Sequence, residues 1–206
     1  MKLRIFVDFW NFQLNIINQV NDPNYRVDWN MISPWILKTT RNLINDETLT
    51  FEEMRVYMSY NPRKPDDKKL KDWATNTLDR FPGVNVILTE RKIKNTPKCP
   101  ACHKELDPCP HCGEPTNGSV EKGVDTALAT DMIVLAWEKA WDVAVLISSD
   151  RDFIPAVSML GRKGCRVINA HFPSSGMDLS RNCWANINLI NAVDEIALAE
   201  KYRRHK

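Results

Sequence analysis

Five short apolar runs, each followed by a helical pattern, constrain this chain more than any other feature. LRIFVDF (3–9), MRVYMSY (54–60), VNVILTE (84–90), DVAVLIS (142–148) and CRVINAHF (165–172) are rich in hydrophobic residues with little polar alternation. Strands of that kind are buried on both faces, which calls for a parallel sheet with helices above and below it. Helical patterns fall at NFQLNIINQV (11–20), Trp29–Ile44, the acid-led DDKKLKDWATNTLDR (66–80), the strongly apolar VDTALATDMIVLAWEKAW (124–141) and DFIPAVSMLGRKG (152–164). Residues 178–198 read as one or two short helical or mixed segments, and no internal repeat is visible. The expected class is α/β, a Rossmann-like sheet of about five strands with helices on both faces.

A chain of 206 residues with 43% hydrophobic residues suffices for one medium domain and a small insert. The pattern breaks only at 91–122, a Lys-, Pro- and Cys-rich stretch whose central part, 95–118, reads as an insert within the 1–206 domain. No run reaches the ~18 apolar residues of a membrane span. The start, MKLRIFVDFW, is interrupted by an Asp and reads as a strand, not a signal peptide, so the expected location is cytoplasmic. The net charge of +2 excludes little. The basic clusters RKIKNTPK (91–98) and KYRRHK (201–206) are compatible with solvated surface or with phosphate contacts.

The strand DVAVLI runs directly into SSDRDF, bringing Asp150 and Asp152 to its end. A single acid there is ordinary capping chemistry. In a sheet of this type, however, strand C-termini and helix N-termini share one edge, where ligands bind. Asp8 ends the first strand, Asp150 follows the fourth, Asp125 starts the apolar helix and Asp152 starts the next. With strand order 3-2-1-4-5, Asp8 and Asp150 face each other across the switch point. Carboxylates gathered in one place repel unless a cation neutralises them, and oxygen-only ligands select Mg²⁺ or Mn²⁺. Such an ion suits phosphodiester hydrolysis. Asn11, three residues after Asp8, either caps the first helix or holds water or phosphate at the same edge. Asp131, six residues beyond Asp125, is rotated away from it and is assigned a supporting hydrogen bond.

Three stretches resemble the NYN family of PIN-like nucleases, in particular its bacterial LabA-like branch: FVDFWNF (6–12), KGVDTALATDMI (122–133) and VLISSDRDFIPAVSMLGRKGCRV (145–167). The resemblance implies a PIN-like fold and metal-dependent RNA cleavage, with Asp8, Asp125 and Asp150 as Mg²⁺ or Mn²⁺ ligands and Asn11 and Asp152 beside them. Members of the family often carry a small residue after the first Asp. Here Phe9 and Trp10 follow, either as core residues or as a stacking surface for a base.

Four of the six cysteines form CPACHKELDPCPHC: Cys99-x2-Cys102, six residues, then Cys109-x2-Cys112. Paired CxxC turns of this spacing hold tetrahedral zinc, and four thiolates leave no open position for chemistry, so the expected zinc is structural. The insert leaves the third strand and returns just before Asp125, so it hangs near the acidic edge. It is expected to serve either substrate capture or protein interaction. Cys165 and Cys183 read as structural.

These observations lead to a metal-dependent endoribonuclease acting on single-stranded or structured RNA, with Lys122 either contacting phosphate or standing as an ordinary surface lysine. The alternative is a non-catalytic nucleic-acid-binding regulatory module on the same fold and zinc knuckle. A phosphotransferase would carry a second Asp two residues after Asp8, where Trp10 stands. A homodimer is compatible with the exposed helices.

Overall fold

The computed structural model describes residues 1–199 apart from 23, 94, 95, 115, 117 and 174, together with the backbone alone of Ile93. The basic cluster at 201–206 lies outside the described residues, as does part of the cluster at 91–98.

The elements follow in the order β1 (Lys2–Asp8), α1 (Phe9–Val20), α2 (Trp29–Ile44), β2 (Thr50–Tyr60), α3 (Pro65–Asn76), β3 (Val84–Glu90), β4 (Lys92–Ile93), β5 (Ser119–Val120), α4 (Val124–Trp137), β6 (Val143–Ile147), α5 (Ile154–Arg162), β7 (Arg166–His171), α6 (Met177–Arg181) and β8 (Ala185–Asn188). The main sheet has the order β3-β2-β1-β6-β7-β8 and every pairing in it is parallel. The first five strands reproduce the expected 3-2-1-4-5 order. The sixth, β8, arises inside the stretch read from sequence as helical or mixed. It is a four-residue edge strand, ANIN, in which only Ile187 is buried, too short and polar to carry an apolar signature.

Successive side chains on each strand point to opposite faces, so the sheet builds two cores. Leu3, Ile5 and Val7 of β1 join Met54, Val56 and Met58 of β2 and Val143, Val145 and Ile147 of β6 under Phe12, Ile16, Trp29 and Ile36 of α1 and α2. On the other face Phe6, Tyr57, Ala144 and Leu146 pack against Leu128 and Met132 of α4 and Val157 and Leu160 of α5. Asp8 belongs to the second face, at the last position of β1 and opposite Tyr57. Val7 pairs with Ile147, so Ser148 emerges from β6 beside Asp8. Between β3 and α4 the insert stands on a separate antiparallel ribbon, β4 with β5. Among the described residues no helix is long and apolar enough to cross a membrane.

Candidate active site

Asp8 anchors the C-terminal edge of the sheet. Its side chain caps α1, accepting the backbone N–H of Asn11 at 3.4 Å, and its Oδ2 accepts the hydroxyl of Ser148 at 3.0 Å. The helix therefore starts at Phe9, two residues before the apolar pattern suggested, and Asn11 is not the cap. Asn11 instead sends Oδ1 across the switch point to accept the backbone N–H of Ser149 at 2.8 Å, steadied by Asn15 Nδ2 at 3.1 Å. Ser175 Oγ donates in turn to Asn15 Oδ1 at 2.9 Å and lies 2.9 Å from Ser149 Oγ. The β1 and β6 strand ends are thus laced together by short polar side chains.

Beyond Ser149 the chain makes a 3₁₀ turn at Arg151–Phe153, and Asp150 caps it by accepting the N–H of Asp152 at 2.9 Å. Asp150 is half-buried and Asp152 is exposed. Asp125 stands in the first turn of α4, directly after Gly123 (φ 90°) and Val124. A positive φ at Gly123 is cheap only for glycine, and it lets the chain leave β5 and enter α4 within a few residues.

The charges that act most on Asp8 and Asp125 are acidic. Burial, foremost, raises the Asp8 carboxyl to about 7; Asp125 and Glu121 add repulsion, while the Ser148 and Asn11 hydrogen bonds work the other way. Asp125 is also raised, first by partial desolvation and then by Asp150, Glu121 and Asp152, although the residue keeps an exposed flank. Asp8, Asp125, Asp150 and Asp152 therefore occupy one electrostatic neighbourhood. Among the described residues no three Asp, Glu, Cys or His side chains close up into a ready ligand set. The oxygen-only donors and the burial of Asp8 beside further acids nevertheless suit a hard divalent cation.

Glu121 is a member of this neighbourhood that sequence reasoning missed. Its position four residues before Asp125, where the insert rejoins the domain, was the available signal. Its Oε2 accepts from Ser59 Oγ at the end of β2 and from Arg91 Nη2 at 3.2 Å. Arg91 donates Nε to Ser59 Oγ at 2.8 Å and lies 5.2 Å over the ring of Trp10, whose Nε1 donates to Ser59 O at 2.8 Å. Phe9 is buried among Trp10, Trp29 and Trp73, so of the two readings of Phe9-Trp10 the structure takes core packing, with Arg91 over Trp10. Lys122 is exposed beside Gly123. Asp131 takes its expected supporting place, accepting Tyr57 OH at 2.7 Å and Arg55 Nη1 at 2.9 Å.

The sequence profile of the NYN domain matches residues 2–190. The chain belongs to the NYN domain family. NYN domains are generally nucleases on a PIN-like scaffold, act on nucleic acid and usually use divalent metals. A crystal structure of a protein of unknown function from Vibrio parahaemolyticus RIMD 2210633 shares the fold at a TM-score of 0.55 and 16% identity, covering 96% of each chain. No curated protein matches the sequence.

This NYN domain has six cysteines. All six are free thiols; Cys102 and Cys112 are exposed and Cys99 and Cys109 half-buried. Cys165 and Cys183 pack against the second core, and burial pushes the Cys183 thiol up to about 12.

Proposed function

We propose that this NYN domain is a metal-dependent endoribonuclease, with Asp8, Asp125 and Asp150 holding Mg²⁺ or Mn²⁺ and Asp152 and Asn11 beside them. The observation that carries the reading is the buried strand-end Asp8, raised to about 7 within a neighbourhood that includes Asp125 and Glu121. An unneutralised arrangement of that kind destabilises the fold, and proteins keep such arrangements where a site requires them. When bound, a divalent cation neutralises these carboxylates, polarises a phosphoryl oxygen and lowers the pKa of the attacking water.

The chain's own residues supply position. Ser148 and the first turn of α1 fix the Asp8 carboxylate from two sides. Asp150 is held by its cap to the 3₁₀ turn. Asn11 ties the Ser149 backbone to α1, which keeps the Asp8 and Asp150 strand ends in register. Exposed Lys122 is available to the phosphodiester backbone.

The test is cleavage of labelled single-stranded RNA, structured RNA and matching DNA in Mg²⁺, Mn²⁺ or EDTA. The expected result is metal-dependent RNA cutting that Asp150→Asn and Asp125→Asn abolish without unfolding the protein. Undiminished cutting by either variant would remove that residue from the site. RNA binding with no turnover in any metal would favour the non-catalytic regulatory module, and preferential cutting of DNA would correct the substrate.

A further inference from the structure

Across the insert two CPxC turns stand ten residues apart: Cys99-Pro-Ala-Cys102-His103-Lys104 and Cys109-Pro-His-Cys112-Gly113-Glu114. The backbone repeats as well. Cys99 N–H donates to Lys104 O at 2.9 Å and His103 N–H donates to Cys99 O at 2.8 Å. In the second turn Cys109 N–H donates to Glu114 O and Gly113 N–H to Cys109 O, both at 2.8 Å. The residue after each second cysteine is left-handed, His103 with φ 57° and Gly113 with φ 74°. Glycine adopts that conformation freely and histidine does so only where the turn demands it.

Each turn also aims backbone donors at sulfur. The thiol of Cys99 accepts from the N–H groups of Cys102 and Ala101, and that of Cys109 from those of Cys112 and His111. Backbone donors converging on a sulfur stabilise thiolate, the form that binds metal. The two turns are joined compactly. Leu106 N–H donates to Pro97 O at 2.8 Å, Thr116 Oγ1 donates to Leu106 O at 3.0 Å, and Asp107, between the turns, accepts Thr116 N–H at 2.6 Å. Among the described residues, the insert contributes none to either hydrophobic core. A segment of this size without a core needs another source of order.

We propose that Cys99, Cys102, Cys109 and Cys112 bind one zinc ion as a closed tetrathiolate site, separate from the carboxylate edge. The matched turns act as two preformed halves of the ligand set. The thiols of Cys102 and Cys112 are exposed, and the two pairs must close in on one ion from positions in which, among the described residues, no three ligands yet meet. Four soft thiolates select zinc over the hard cations suited to the aspartates. Four protein ligands leave no position for substrate, so the ion's role is structural.

Metal analysis of the untagged full chain, with thiol titration, tests this. The expected result is one zinc per chain, released when a mercurial reagent blocks the thiols and reduced at least fivefold in Cys102→Ser and Cys112→Ser. Cobalt(II) added to the metal-depleted wild-type chain is expected to give sulfur-to-cobalt charge-transfer bands and the strong visible bands of tetrahedral coordination. Oxygen ligation at the aspartates produces neither, so this readout is independent of nuclease activity and of variants that fail to fold. Fewer than about 0.2 zinc per chain together with no thiolate–cobalt spectrum would overturn the proposal. So would a pair of disulfides, or iron in place of zinc.

Discussion

The hydroxyl of Ser148 lies between the two strand-end acids, donating to Asp8 Oδ2 at 3.0 Å while accepting the backbone N–H of Asp150 at 3.1 Å. One oxygen thus orients the carboxylate on β1 and the turn that presents the acid after β6. Groups that orient candidate ligands typically account for a 10–100-fold change in metal affinity or activity when removed. Ser148→Ala is expected to fold, to require more Mn²⁺ for half-maximal cleavage and to lose activity by about that factor. An unchanged Mn²⁺ dependence would show that the hydroxyl is only a strand-end hydrogen bond.

The raised Asp8 carboxyl makes a statement about stability in the absence of metal. Its ordinary value is 3.8 and its folded value about 7. Below pH 4 it is protonated in both states and costs nothing. Between pH 4 and 7 the unfolded chain releases this proton while the folded chain retains it, so stability falls as pH rises and levels off above 7. The full effect is about 4 kcal/mol as an upper bound. Asp8→Asn is expected to flatten the decline in Tm between pH 5 and 8 and to raise the metal-free Tm at pH 8 by several degrees, while abolishing cleavage. Mg²⁺ is expected to raise Tm in the wild type and much less in the variant. Parallel Tm–pH curves for the two proteins would refute the assignment.

The sheet was legible because β1, β2, β3, β6 and β7 are apolar on both faces, and that alone brought Asp8, Asp125, Asp150 and Asp152 to one edge. β8 was not, because an edge strand with one buried side chain has no such signature. Nor was Glu121, whose membership depends on the ion pair with Arg91 and on Ser59 at the far end of β2, contacts that span 30 and 62 residues. Asn11 was legible as a residue of that edge but not in its hydrogen bonding, since the helix start depends on the Asp8 cap, not on the apolar pattern that follows it.

Asp131 separates support from catalysis. Its carboxylate holds Tyr57 OH and Arg55 on the sheet face under α4, and burial, then the hydrogen bond to Asp131, pushes the Tyr57 phenol well above its ordinary range. Asp131→Ala leaves a buried hydroxyl without its acceptor, a loss of about 1–3 kcal/mol. The urea midpoint is expected to fall by a corresponding amount while cleavage per folded molecule stays within about threefold of wild type. Asp125→Asn is expected to do the reverse, losing activity with no loss of stability. Loss of cleavage in Asp131→Ala at an unchanged urea midpoint would place Asp131 in the reaction itself.

The insert and the acidic edge meet through Arg91 and Glu121. These residues flank the two-residue strands β4 and β5, pair with each other at 3.2 Å and both bond Ser59. A ribbon of two residue pairs is too short to hold itself, so the insert must hold it. Zinc removal is therefore expected to slow cleavage by about tenfold even with Mg²⁺ restored, through loss of the Arg91–Glu121 geometry and not through loss of an aspartate. Cys102→Ser and Arg91→Ala are each expected to reproduce that decrease, and the double variant to be no slower than either alone, because both remove the same support. Cleavage rates from the four proteins in excess Mg²⁺ form the cycle. Multiplicative losses would mean that the insert acts on substrate independently of the Arg91–Glu121 pair.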